Sequence, residues 1–264
     1  MASTTYDAME KRVAPQLPIY VNEVRYEFLR LLRARTFSLA TIGFPVMFYL
    51  LFGVLMNHSE GEALPYSRYL LATYSVFGLV GASLFGISVT LANERALGWL
   101  ELKLVSPMPA AAYLLAKVLS AMVFGVAICC ILLVLGVTLT HARVMPGEVA
   151  RLLLTVVAGV IPFASLGLML AMVVPPNAAP GVINLIYLPM SFCSGLWIPL
   201  SALPSWLGKI APIWPTYHVA QMALGAIGFP MQGSVMGHVL WLAAFSGGMM
   251  VIATVLFRRN ASHG

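Results

Sequence analysis

Charge is what this sequence has least of. Only 9% of its 264 residues are Asp, Glu, Lys or Arg, while 60% are hydrophobic; soluble domains carry about 25% charge. With a mean hydropathy of +0.90, that shortage excludes an ordinary soluble domain and makes the chain an integral membrane protein. Cysteine is also scarce. Cys129, Cys130 and Cys193 all lie in apolar runs, without Cys-x-x-Cys or His spacing, so neither a disulfide framework nor a metal site is expected. No Gly-x-x-x-x-Gly-Lys-Ser/Thr loop occurs, which excludes the usual way of holding a nucleotide. The net charge of +6 is not gathered into one patch with interleaved aromatics, so nucleic acid is not an expected partner. A signal peptide is excluded too, because some 35 residues carrying Asp7, Glu10, Lys11, Arg12, Glu23 and Glu27 precede the first apolar run.

Long apolar runs are what the sequence has instead. A bilayer core about 30 Å thick takes about 20 residues at 1.5 Å each, and by that ruler six spans are predicted: Phe37–Met56, Tyr69–Ala92, Ala111–Leu139, Leu152–Val174, Gly181–Ile198 and Val235–Phe257. Residues 1–18 read as a cytoplasmic tail. Residues 19–35 read as an amphipathic helix on the inner leaflet, with Val21, Val24, Phe28, Leu31 and Leu32 on one face and Asn22, Glu23, Arg30 and Arg33 towards the other. Residues 36–264 form the six-span domain. With the amino terminus inside, eleven Lys and Arg fall on the cytoplasmic side and four outside, which puts both termini in the cytoplasm. The expected fold is all-α.

Two connections stand out. Residues 93–106 concentrate both signs of charge, Glu94, Arg95, Glu101 and Lys103, with Leu97, Leu100 and Leu104 at helical spacing; this predicts a short cytoplasmic helix seeking a partner. Residues 199–217, with Pro199, Pro204, Trp206, Pro215 and Tyr217, are too apolar for a free loop and too broken for a straight span. They predict a re-entrant outer segment before the last span. The cores of the predicted spans hold no charged residue, which argues against an ion-coupled carrier. Energy for any transport must then enter from outside the membrane.

Asn93-Glu94-Arg95, Gly98-Trp99-Leu100-Glu101-Leu102, Val105-Ser106-Pro107 and Leu114-Leu115-Ala116-Lys117 together resemble the pattern after the second span of type-2 ATP-binding-cassette (ABC) exporter permeases. Ser194 to Pro204, Trp206-Leu207 and Pro215-Thr216-Tyr217-His218 are similar to that family's segment before its last span. Trp99 departs from the family's usual Thr. The resemblance implies a transport subunit without catalysis of its own, working with a separate cytoplasmic ABC ATPase that binds ATP and Mg, and with a second permease copy or a related permease, in the bacterial inner membrane. It implies that Glu94, Arg95, Leu97, Gly98, Leu100, Glu101 and Pro107 belong to the coupling helix, and that Glu23, Glu27, Phe28, Arg30 and Arg33 belong to a connecting helix. Pro199, Pro204, Trp206, Pro215 and Tyr217 would form an outer gate. Phe77, Phe85, Tyr187 and Phe192 are candidates to line an apolar pathway, shared with membrane lipid. The cargo expected from such a lining is hydrophobic or amphipathic: a drug, an antibiotic or a lipid. A lipid-linked or capsular glycan is the alternative within transport. An intramembrane enzyme or an assembly scaffold is the alternative outside it.

Overall fold

The computed structural model describes residues 16–55, 66–99, 102 and 110–261. Among these the protein is all helix. Helix α1 spans Gln16–Arg33 and α2 spans Arg35–Phe48, continued by a π-helical stretch, Tyr49–Leu55. Helix α3, Tyr66–Leu84, passes through a second π-helical stretch, Phe85–Val89, into α4, Thr90–Ala96. There follow α5, Ala110–Leu139; α6, Pro146–Val173; α7, Ala179–Cys193; α8, Ser205–Ile210; α9, Pro215–Ala226; and α10, Val235–Ala261.

Among the described residues, five stretches are long and apolar enough to cross a membrane: Arg35–Leu55, Tyr66–Ala96, Ala112–Leu139, Pro146–Val173 and Val235–Arg259. They agree with five of the six expected spans. The fifth expected span, Gly181–Ile198, differs. Helix α7 has 15 residues, about 22 Å at 1.5 Å per residue, and stops at Cys193. Pro189 removes one of its backbone donors, and Gly195 at φ +77° turns the chain out of the helix. Helix α6 begins six residues earlier than expected because Pro146 opens it and the Glu148 carboxylate accepts from the Met145 backbone N–H at 2.8 Å.

The core is built around α3. From Tyr69 to Leu84 every residue of this helix is buried, enclosed by α2, α5, α6, α7 and α9. A helix apolar on all sides fits such a central position. Close approach depends on small residues. A Cβ at Gly78 would lie 2.6 Å from Ile128 Cγ2 on α5 and 3.2 Å from Pro45 Cγ on α2. Gly78→Ala is therefore expected to lower stability by about 1–3 kcal/mol through overpacking; a thermal midpoint equal to the parent's would show that α5 moves aside freely.

The segment before the last span packs against the core and extends further than residues 199–217. Helix α9 runs on to Ala226 and buries Tyr217, Val219, Ala220, Ala223 and Leu224. Val219 packs where a Cβ at Gly159 would be, 2.9 Å away, halfway along α6. The segment is tied to the amino-terminal end of α3 by Tyr69, whose hydroxyl donates to Gly195 O, and by Tyr66, which donates to Trp197 O at 3.1 Å. Arg68 bridges Glu148 and Ile227 O, each at 2.5 Å.

Candidate energy-coupling site

The candidate site forms where α1 meets the end of α4 and the start of α5. Helix α1 presents Glu27 and Leu31 as its buried face, with Phe28 beside them, while Val21 and Leu32 are exposed. The packed face is thus rotated from the apolar stripe expected for a leaflet helix, because Glu27 has a countercharge inside. That countercharge is Lys117, the eighth residue of α5 and 1% exposed. Its Nζ donates to Glu27 Oε1 at 3.0 Å, to Thr90 Oγ1 at 3.0 Å and to Glu94 at 3.3 Å, and lies 4.9 Å from the centre of the Tyr113 ring.

Glu94 is 2% exposed. It accepts from Arg30 and from the Tyr113 hydroxyl, while Arg30 also donates to Glu27 at 2.7 Å. Two carboxylates and two cations balance, and their lone pairs and protons are satisfied locally, the condition for tolerating charge out of water. Burial lowers the proton affinity of Arg30, but the carboxylates of Glu27 and Glu94 more than offset it, so its pKa stands above the ordinary value. Arg30 keeps its charge.

Arg95 turns the other way and donates to Met172 O and, at 3.3 Å, to Val174 O at the C-terminus of α6. A cation there satisfies carbonyls that the helix leaves free. Glu94 and Arg95 thus both bond within this chain, Glu94 buried and Arg95 half-buried.

Beyond them the expected continuous helix over 93–106 is interrupted. Helix α4 ends at Ala96, and Gly98 takes φ +71°, its N–H bonded to Arg95 O at 3.1 Å. Leu102 N then bonds to Gly98 O at 3.2 Å, so a new helical turn begins beyond the break. A residue with a Cβ is strained at this φ, which is the local reason for glycine here. The consequence is that Leu97, Trp99 and Leu102 are 65%, 52% and 66% exposed, three large apolar side chains on one short, polar-backed corner. Leu100, Glu101 and Pro107 lie outside the described residues.

The remaining expected site residues are divided. Glu23 is half-buried on α1 and Arg33 is exposed at its end. Phe77 and Tyr187 are both buried and stack on each other, ring centres 4.7 Å apart at 17°, with the Tyr187 hydroxyl donating to Phe77 O at 2.8 Å. Phe85 and Phe192 are half-buried, edge-on to Tyr187 and Trp197. At the outer segment Pro204 precedes α8, Pro215 opens α9, Trp206 is exposed, and Pro199 precedes the 3₁₀ turn Leu200–Ala202. Tyr217 is buried, its hydroxyl 3.2 Å from Gln232 Oε1.

Sequence reasoning did not single out Lys117, Tyr113 and Thr90 as one site with Glu27 and Glu94. Lys117 carried the signal and corrects the reading of the spans as free of charge: it lies within the third predicted span, where a buried ionisable residue demands a partner, and Glu27 and Glu94 on neighbouring elements supply it.

Sequence similarity to known proteins covers most of the chain. The family model for the ABC-2 type transporter matches residues 23–228. A Bacillus subtilis (strain 168) protein named "Putative transport permease YvfS" is 25% identical over 192 residues, covering 73% of this chain and 78% of that protein. With the match running from α1 through α9, this multi-pass membrane chain belongs to the ABC-2 type transporter family.

Proposed function

We propose that this chain is the membrane permease of an ATP-driven exporter that moves a hydrophobic or amphipathic small molecule, drug-like or lipid-like, out of the cytoplasm or inner leaflet. A separate cytoplasmic ABC ATPase, which binds ATP and Mg, docks on Leu97, Trp99 and Leu102. A second permease copy or a related permease completes the pathway. Both termini face the cytoplasm of a bacterial cell, and α7 continues through the outer segment as a sixth, broken crossing.

The observation that carries this reading is the exposed apolar corner that follows the buried cluster directly in the chain. Leu97 follows Glu94 by three residues, and Glu94 is bonded to α1 and to α5's Tyr113 and Lys117. A push on the corner therefore reaches three helices at once through short, charge-assisted bonds. The half-buried rings of Phe85 and Phe192 support an apolar cargo, whereas Phe77 and Tyr187 serve the core.

Reconstitution of the permease with its ATPase in vesicles tests the cargo class. Phe85→Ser combined with Phe192→Ser is expected to cut ATP-dependent export of an amphipathic dye by about tenfold, equivalent to about 1.4 kcal/mol. Unchanged dye export, with a lipid-linked glycan accepted instead, would replace the cargo assignment.

A further inference from the structure

At the outer end of the protein two histidines meet. His218 on α9 and His238 on α10 are 7% and 5% exposed, and their Nδ1 atoms stand 2.8 Å apart. Each ring also uses its other nitrogen. His218 Nε2 lies 2.9 Å from Pro212 O, and His238 Nε2 lies 2.8 Å from Gln232 O.

Carbonyl oxygens only accept, so both Nε2 atoms must carry hydrogen. A neutral imidazole has one N–H, and two neutral rings bonded in this way would set two bare Nδ1 lone pairs against each other at 2.8 Å. The three contacts need three N–H groups, one more than two neutral rings possess. We propose that His218 and His238 share one extra proton between their Nδ1 atoms, and that this N–H···N bond is a pH-dependent clasp holding α9 and the turn before α10 in place.

The surroundings suit a single positive charge. Trp241 stacks on His218, ring centres 4.2 Å apart at 25°, and an indole face attracts a cation. Gly233 at φ +92° shapes the turn that brings Gln232 O to His238, and Gln232 is itself held by Gln221 and Tyr217. Of the charged groups on the elements around the pair, Arg68 on α3 and Glu148 on α6 are paired with each other. Arg151 on α6 and Lys209 on α8 are exposed, and Tyr217 is bonded to Gln232. The charge that acts on His218 is that of His238.

The clasp fails on both sides of a pH window. Losing the shared proton at higher pH leaves opposed lone pairs. Gaining a second at lower pH sets two cations in contact. Burial first, and then the charge of His238, pushes the His218 pKa below its ordinary value against the pull of Pro212 O. The unfolded chain therefore binds that second proton more readily, and stability is lost as pH falls through the ordinary histidine range. The external location of the clasp rests on the exporter orientation proposed above; the shared proton does not.

The test uses the full chain in lipid nanodiscs with ¹⁵N-labelled histidine, His58, His141 and His263 being replaced by Gln so that only the pair reports. Two titration steps separated by at least about one pH unit, with three N–H signals between them, are expected of a coupled pair. Two rings titrating independently, or two neutral rings with two N–H signals from about pH 5 to about pH 8, would overturn the proposal. His238→Asn supplies a neutral N–H donor at the Nδ1 position, and its thermal midpoint is expected to lose the rise and fall with pH that the parent shows. An identical bell-shaped profile in the variant would equally refute the clasp. Neither measurement involves transport, so failure of the clasp and failure of the exporter reading are separable.

Discussion

Lys117→Met is expected to be among the most destabilising single changes where α1, α4 and α5 meet, costing about 3–5 kcal/mol. The side chain is 1% exposed and bonded to Glu27, Glu94 and Thr90. Removing its charge leaves two buried carboxylates facing Arg30 alone, an uncompensated negative charge away from water. The effect is distinguishable from lost packing, since Met nearly conserves volume. Adding Glu27→Gln restores neutrality, because Arg30 and Glu94 then form a balanced pair. The double variant is expected to be more stable than Lys117→Met, and by more than about 1 kcal/mol better than the sum of the two single changes. Denaturant titration of the four proteins in one detergent provides the cycle; additive losses would show that Lys117 acts by packing instead of charge.

The elements that were legible from sequence were those set by one dominant force. Five long apolar runs became five long helices because the bilayer ruler and the demand for internal backbone bonding leave few choices. The boundaries that moved were decided by single residues. Pro146 and Glu148 started α6 early, and Gly195 at φ +77° ended α7 before it reached full length. The site was legible by place but not by orientation. Charge density marked residues 93–106, and Glu94 and Arg95 read as contacts for a partner; in the structure they bond to Arg30, Tyr113, Lys117 and the end of α6. Periodicity alone could not show this, because an acid on a helix face is exposed or buried according to whether a cation from a distant segment arrives opposite it. Lys117 stands 23 residues from Glu94 and 90 from Glu27, distances over which no local pattern speaks.

That orientation decides where an ATPase would bind, and gives the prediction with the largest functional consequence. On the proposed reading, with Glu94 and Arg95 engaged inside, attachment would fall to Leu97 and Trp99, which are 65% and 52% exposed. Apolar side chains at the centre of an interface commonly contribute 2 kcal/mol or more each, roughly a thirtyfold change in affinity. Leu97→Ser with Trp99→Ser is therefore expected to weaken co-purification with the ATPase by at least about thirtyfold, and to abolish permease-dependent stimulation of ATP hydrolysis. The thermal midpoint should stay at the parent value, because neither residue fills the core. Trp206→Ser is the matched control: an equally exposed indole at 59%, on the opposite end of the molecule, whose loss should leave the ATPase attached. If both indole variants release the partner equally, the contact is non-specific adhesion. If neither does, force must enter elsewhere, and the Gly98 break would then be a turn of the chain with no partner to serve.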